Sequence, residues 1–326
     1  MIGYFIAALI STFIITALAA RILIPKLKSM KLGQQILDIG PRWHKSKEGT
    51  PTMGGLCFIV ASLIVFIPLA VYLTAKGVAG VDKMVIVMLM ATANGAVGII
   101  DDLTKFKNHR NEGLTASQKY LLQLICAGLF LAAMKLTGNL SDTLYIPYFG
   151  IELELGIFYY ILSILLITGI INSVNLTDGI DGLASTVTLA VAAFFSVAAF
   201  SMSALPEAII SAITIGACFG FLVYNFYPAR VFMGDTGSLF LGGMVIGMAY
   251  MINNPLIVVV VGIIYIVEAL SVMIQVTYYK LTHGKRFFKM APIHHHFEKC
   301  GWSELKIVGV FSLITVIAGV VAYFGL

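Results

Sequence analysis

Ten apolar runs, each about long enough to cross a bilayer, constrain this chain more than any other feature. A helix needs roughly 20 apolar residues to span a hydrocarbon core of about 30 Å. By that rule the runs are 2–24, 53–74, 83–100, 119–137, 157–174, 184–202, 207–224, 238–253, 256–276 and 306–325. Only 11% of the 326 residues are charged, where a soluble domain carries about 25%, so a water-soluble globule of this size is excluded. The expected fold is an all-α polytopic membrane protein with about ten transmembrane helices, one integral membrane domain over 1–326. Met1 to Ile24 reads as a first span, since it has no early basic region and no small-residue cleavage site. Residues 143–155 alternate apolar and polar around Pro147 and Gly150, which predicts a small external β-hairpin. The eighth run is short, and Asn253-Asn254-Pro255 turns tightly into the ninth.

Orientation follows from the cations. Eighteen of the 21 Lys and Arg residues fall on the odd-numbered connections or the span ends beside them. The even-numbered side keeps Lys76, Lys83 and Lys135. The positive-inside rule then makes the odd connections cytoplasmic and puts both termini outside. The four cysteines, Cys57, Cys126, Cys218 and Cys300, lack ligand spacing and are expected to be reduced packing residues.

The unusual polar clusters all lie on the cation-rich side. Asn175-Leu176-Thr177-Asp178-Gly179-Ile180-Asp181-Gly182-Leu183 joins two spans through a short turn holding two carboxylates, an amide and two interior glycines. If it opens the next helix, Asp178 and Asp181 share one face of the first turn. A solvated turn would need only one or two such residues. The third span ends in Asp101-Asp102, a pair costly to desolvate unless a cation or a proton compensates. Lys119, opening the fourth span, is a candidate counter-charge or phosphate ligand.

Asp235 sits between Gly234 and Thr236-Gly237 where a helix starts. It can cap that helix or complete an oxygen site for Mg²⁺, which takes one or two carboxylates plus phosphate oxygens. The first connection ends in Gly49-Thr50-Pro51-Thr52-Met53-Gly54-Gly55, hydroxyls and flexible backbone at a membrane mouth. The last carries Pro292-Ile293-His294-His295-His296-Phe297-Glu298. Three consecutive imidazoles cannot point one way on a helix, so zinc fits poorly and phosphate contacts fit better. Glu268 in the ninth span is either functional or a hydrogen bond to a neighbouring helix. Aspartates, histidines, lysines and glycine turns on one membrane face describe a Mg²⁺ site for a polyanion, with a lipid as one substrate. Phosphoryl transfer fits, since its catalysis is mostly positioning and charge neutralisation.

These runs, in this order from about Gly33 to Glu298, resemble the phospho-N-acetylmuramoyl-pentapeptide-transferase family. That family belongs to the polyprenyl-phosphate N-acetylhexosamine-1-phosphate transferase superfamily. The resemblance implies transfer of phospho-MurNAc-pentapeptide from UDP-MurNAc-pentapeptide to undecaprenyl phosphate in the bacterial plasma membrane, giving lipid I and UMP. It also implies Mg²⁺ and an active site on the cytoplasmic face. By the same resemblance Asp235 is the metal ligand, Asp101 and Asp102 are the catalytic pair, and Asp101 deprotonates the lipid phosphate. Phe232 would stack on uracil with Asp181 and Gly179 beside it. Thr50, Asn175, Asp178 and Gly234 match positions near the ribose, with Asp178 and His294 also counted as catalytic. Lys45, Lys119, Ser238, Gln275, His294 and His295 match other substrate-side positions. Leu37 departs from the family, which often has Arg there. No nucleic-acid partner is expected, and homodimer formation stays an open expectation.

Three rivals make different demands. A superfamily relative would use UDP-GlcNAc as donor. An aspartyl protease would read Met233-Gly234-Asp235 as its motif, but Phe232 stands where that motif needs glycine, and five aspartates stand where it needs two. A transporter would put its polar groups near the bilayer midplane, whereas these acids lie at one surface.

Overall fold

A computed structural model describes residues 1–30, 47, 49–107 and 113–326. The chain runs α1 (Ile2–Ser29), α2 (Gly55–Ala75), α3 (Val81–Lys107), α4 (Ala116–Leu136), β1 (Thr143–Ile146), β2 (Ile151–Glu154), α5 (Ile157–Thr177) and α6 (Leu183–Ser201). It continues through α7 (Leu205–Asn225), α8 (Gly234–Met251), α9 (Ile257–Val261), α10 (Ile263–Leu281), α11 (Ile293–Lys299) and α12 (Glu304–Tyr323). Nine of the described helices are long and apolar enough to cross a membrane.

The eighth expected run, α8, fails that test because its first turn is Gly-Asp-Thr-Gly-Ser, yet it traverses the bundle. Its 18 residues reach about 27 Å at 1.5 Å per residue. Every residue from Thr236 to Met251 is buried, so protein rather than lipid surrounds it. Close approach explains how: a Cβ added at Gly242 would lie 2.7 Å from Ile171 Cα of α5, and one at Gly243 2.7 Å from Ala91 Cα of α3. Small residues at such crossings are what packing within a membrane selects. The expected ninth span is broken into α9 and α10 at Gly262. The third is longer than expected, and α3 carries on past Asp101 and Asp102 to Lys107.

Local signals set several helix ends. Thr115 and Gln118 form a reciprocal capping box at α4, satisfying two backbone donors. Pro206 lies in the first turn of α7, where its missing N–H costs nothing. Around the bundle α1 exposes Ile6, Ile10, Ile14, Leu18 and Ile22, a four-residue repeat that makes a lipid-facing stripe.

The even-numbered connections and both termini gather at one end. Tyr4 Oη donates to Tyr72 Oη (3.2 Å), Lys83 Nζ to the Met251 carbonyl (3.4 Å), Tyr148 Oη to the Val321 carbonyl (3.1 Å) and Asn254 Nδ2 to the Gly325 carbonyl (3.2 Å). The expected hairpin is here: β1 and β2 pair antiparallel with Thr143 opposite Glu154 and Ile146 opposite Ile151. The described parts of the odd-numbered connections meet at the opposite end.

Candidate active site

At that opposite end α3, α4, α5 and α8 bring their polar residues together. Asp101 and Asp102 end the apolar part of α3 and face Asp235 in the first turn of α8. One oxygen from each lies within 4.8 Å of the others. Lys105, one turn on in α3, reaches Asp101 Oδ2 (2.6 Å), Asp235 Oδ2 (2.8 Å) and Asp102 Oδ1 (3.6 Å). Lys119 donates to the same Asp235 oxygen at 2.9 Å, and Asn175 Nδ2 to Asp235 Oδ1 at 2.7 Å. Asn175 also donates to Ser238 Oγ (2.7 Å), which in turn donates to the Gly234 carbonyl (3.0 Å). Three carboxylates against two ammonium groups leave one negative charge to be met, and all donors are hard oxygens. The cluster can hold a divalent cation.

Asp235 does not cap its own helix. Asp102 does so from α3: its carboxylate accepts from Asp235 N (3.3 Å), Thr236 N (2.9 Å) and Thr236 Oγ1 (2.8 Å). An anion at the positive end of a helix is favourable, and this one leaves Asp235 turned toward the lysines. Lys105 is a site residue that the charge count alone groups with the topological cations. Its spacing of three and four from the aspartates is the signal that could have found it.

Asp178 and Asp181 do not share a helical face. The helix α6 starts only at Leu183, with Gly182 at φ +77° before it. The two carboxylates therefore part. Asp178, half-buried at the end of α5, lies near the acid cluster. Burial pushes its carboxyl well above the usual carboxylate range, and the charges of Asp235, Asp102 and Asp181 push the same way. Asp181 turns away and is buried: Oδ1 accepts from Lys47 Nζ (2.7 Å) and Oδ2 from Ala229 N (2.8 Å).

The histidine run diverges as its spacing requires. His294 is fully buried with Nδ1 3.0 Å from Glu268 Oε2, so Glu268 bonds to a neighbouring helix. His295 Nδ1 lies 2.6 Å from Glu298 Oε2, and His296 Nδ1 accepts from Lys289 N at 3.1 Å. His294 Nε2 has no hydrogen-bond partner among the described residues and lies against Gly179, where an added Cβ would come within 2.1 Å of it. Because Glu268 pins the ring, Gly179→Ala is expected to lower stability by about 1–3 kcal/mol through overpacking. Thermal unfolding in detergent measures this, and an unchanged Tm would contradict the contact.

The Gly49–Gly55 run docks beside Phe232 by backbone pairing. Phe232 N donates to the Pro51 carbonyl (2.8 Å), Gly54 N to the Phe232 carbonyl (2.9 Å) and Gly55 N to the Met233 carbonyl (3.0 Å). Thr50 and the half-buried Phe232 thus lie on adjacent segments. Gln275 stands apart, its Oε1 accepting from Phe287 N (3.1 Å) and Phe288 N (2.8 Å). It lines an open groove of about 340 Å³ with Lys280 and Arg286. Lys45 and Leu37 lie outside the described residues.

Comparison with known proteins reaches the same residues. Glycosyl transferase family 4 matches residues 84–253, which hold every aspartate of the cluster. Phospho-N-acetylmuramoyl-pentapeptide-transferase signature 1 matches residues 47–59, from Lys47 through the glycine run. Curated relatives named phospho-N-acetylmuramoyl-pentapeptide-transferase are similar along almost the whole chain. The protein of Clostridium perfringens (strain SM101 / Type A) is 45% identical over 320 residues, 98% of this chain and 95% of its own. That of Clostridioides difficile (strain 630) is 46% identical over 307 residues, 94% and 92%. That of Clostridium acetobutylicum is 44% identical over 328 residues, 99% of each.

Proposed function

Since this chain belongs to the phospho-N-acetylmuramoyl-pentapeptide-transferase family, a group of membrane transferases, we propose that it makes lipid I for peptidoglycan synthesis. Phospho-MurNAc-pentapeptide passes from UDP-MurNAc-pentapeptide to undecaprenyl phosphate, and UMP is released. The observation that carries this reading is the convergence of Asp101, Asp102 and Asp235 with Lys105 and Lys119 at one end of the bundle.

Asp101 accepts the proton of the lipid phosphate. One oxygen of that phosphate attacks the phosphorus bearing the sugar, a new P–O bond forms, and the bond to UMP breaks with its electron pair leaving on UMP. Direct attack suits a nucleophile that is already anionic. Lys105 and Lys119 neutralise charge on the diphosphate, where such electrostatic help is worth most in a dry site. Asp235, with Asp101, would hold Mg²⁺, which when bound supplies further charge neutralisation on the phosphate oxygens. Phe232 stacks on uracil, with Thr50 and Gly179 nearby, and the buried His294 ring supports the Gly179 turn from beneath. The lysine and arginine bias supports a cytoplasmic location for this end in the bacterial plasma membrane.

Purified enzyme given both substrates is expected to release UMP, to stop with EDTA and to recover with Mg²⁺. Turnover indifferent to chelation would overturn the metal role. UMP release from UDP-GlcNAc but not from UDP-MurNAc-pentapeptide would overturn the donor.

A further inference from the structure

A second polar network lies beside the first and shares none of its side chains. Glu304, in the first turn of α12, is 8% exposed. Lys47 Nζ lies 2.6 Å from both of its oxygens, and the backbone N of Asp181 donates to Oε2 at 3.0 Å. Lys47 Nζ also reaches Asp181 Oδ1 (2.7 Å), and Asp181 Oδ2 accepts from Ala229 N (2.8 Å). Side-chain exposure across the three is 16% for Lys47, 1% for Asp181 and 7% for Glu304. Ordinary surface ion pairs are worth little; this cluster is enclosed, and removing a partner has consequences.

What it joins is specific. Lys47 begins the segment that carries Thr50; Asp181 lies two residues beyond Gly179; Ala229 lies three before Phe232. These are the three connections assigned to the nucleoside side of the site. The acid cluster is held by other ties, through Lys105, Lys119, Asn175 and Thr236. The last transmembrane helix therefore fixes the nucleoside-binding connections without touching the reacting groups. We infer that Glu304 is a positioning residue for the uridine nucleotide, setting its affinity and leaving the chemical step to the aspartate cluster. The inference rests on the proposed transferase function.

Charge balance makes it testable. Two carboxylates share one ammonium, so removing Glu304 leaves a neutral Lys47–Asp181 pair, whereas removing Lys47 would leave two carboxylates together. Glu304→Ala also orphans the Asp181 N–H; Glu304→Gln keeps an acceptor for it and loses only charge. In purified full-length enzyme, Glu304→Ala is expected to raise KM for the uridine nucleotide at least about ten-fold. Its kcat and its KM for the lipid phosphate should stay within about three-fold, and UMP affinity by calorimetry should weaken in parallel. Glu304→Gln should fall between wild type and Glu304→Ala, and it carries the test alone if the alanine variant does not fold. A loss of kcat or of Tm with unchanged nucleotide KM and UMP affinity would make Glu304 merely structural and overturn the inference. Wild-type enzyme that neither binds UMP nor releases it would instead bring down the transferase function, and the inference with it.

Discussion

Asp235→Asn is expected to lower turnover by at least about a thousand-fold while the protein still folds. The substitution keeps shape and removes charge, and charge is what this position supplies. Asp235 Oδ2 receives both Lys105 and Lys119, at 2.8 and 2.9 Å. An amide facing two ammonium groups offers one weaker acceptor, or its own donors. Both lysines then lose their shared partner, and the proposed cation site loses a carboxylate. Removing a single preorganised electrostatic group costs about 10² to 10³ in rate; here one change disturbs two lysines and a carboxylate of the cluster that could hold a metal ion. Initial rates of UMP release at saturating substrates measure the effect. A variant within ten-fold of wild type would take Asp235 out of the reacting centre.

The same geometry separates residues of similar appearance. Asp102 sits beside Asp101 in sequence, yet its carboxylate is spent on the first turn of α8, whereas Asp101 holds Leu114 N (2.9 Å) and Lys105. Asp178 and Asp181 part in the same way, one toward the acid cluster and one toward Glu304. Neighbours in sequence thus take different partners: Asp102 holds the first turn of α8 and Asp181 holds Lys47 and Ala229 N, while Asp101 takes Lys105 and Leu114 N and Asp178 lies toward the acid cluster.

Much of this is legible in the residues. Where charge is scarce and most of the chain is apolar, acids either lie at span ends or mark function. Asp101, Asp178 and Asp235 on one side are therefore informative from their positions in the chain alone. The hairpin at 143–154 follows from alternation. The break at Gly262 does not, because an apolar run reads the same whether or not its helix is interrupted. The role of Asp102 needs a partner 134 residues away. Glu304 is hidden for the same reason: an acid in a first helical turn is ordinary, and its partners lie 123 and 257 residues back. Local pattern reports helices and their ends; it carries no record of which end lies against which.

The largest combined loss of stability and activity is expected from Gly98→Ala, which alters no polar side chain of the acid cluster. Gly98 lies on α3 one turn before Asp101 and Asp102. A Cβ there would sit 2.2 Å from the Asp235 carbonyl oxygen, 2.4 Å from its carbon and 2.6 Å from Thr236 N. All three are backbone atoms at the start of a helix, so no rotamer change relieves the clash, and α3 and α8 have to part. Parting them lengthens the bonds from Asp102 to the first turn of α8 and opens the gap that Lys105 closes. Overpacking of this kind costs about 1–3 kcal/mol, to which the lost cap adds about 1 kcal/mol. Gly128 on α4 is the control, since a Cβ there meets nothing within 4 Å. Gly128→Ala should be neutral or slightly stabilising, alanine being the better helix former by about 1 kcal/mol. Thermal unfolding and UMP release on the two variants separate the contact from any general intolerance of alanine. Wild-type Tm and turnover in Gly98→Ala would mean that α3 and α8 are not seated as described, and the acid cluster would lose its frame.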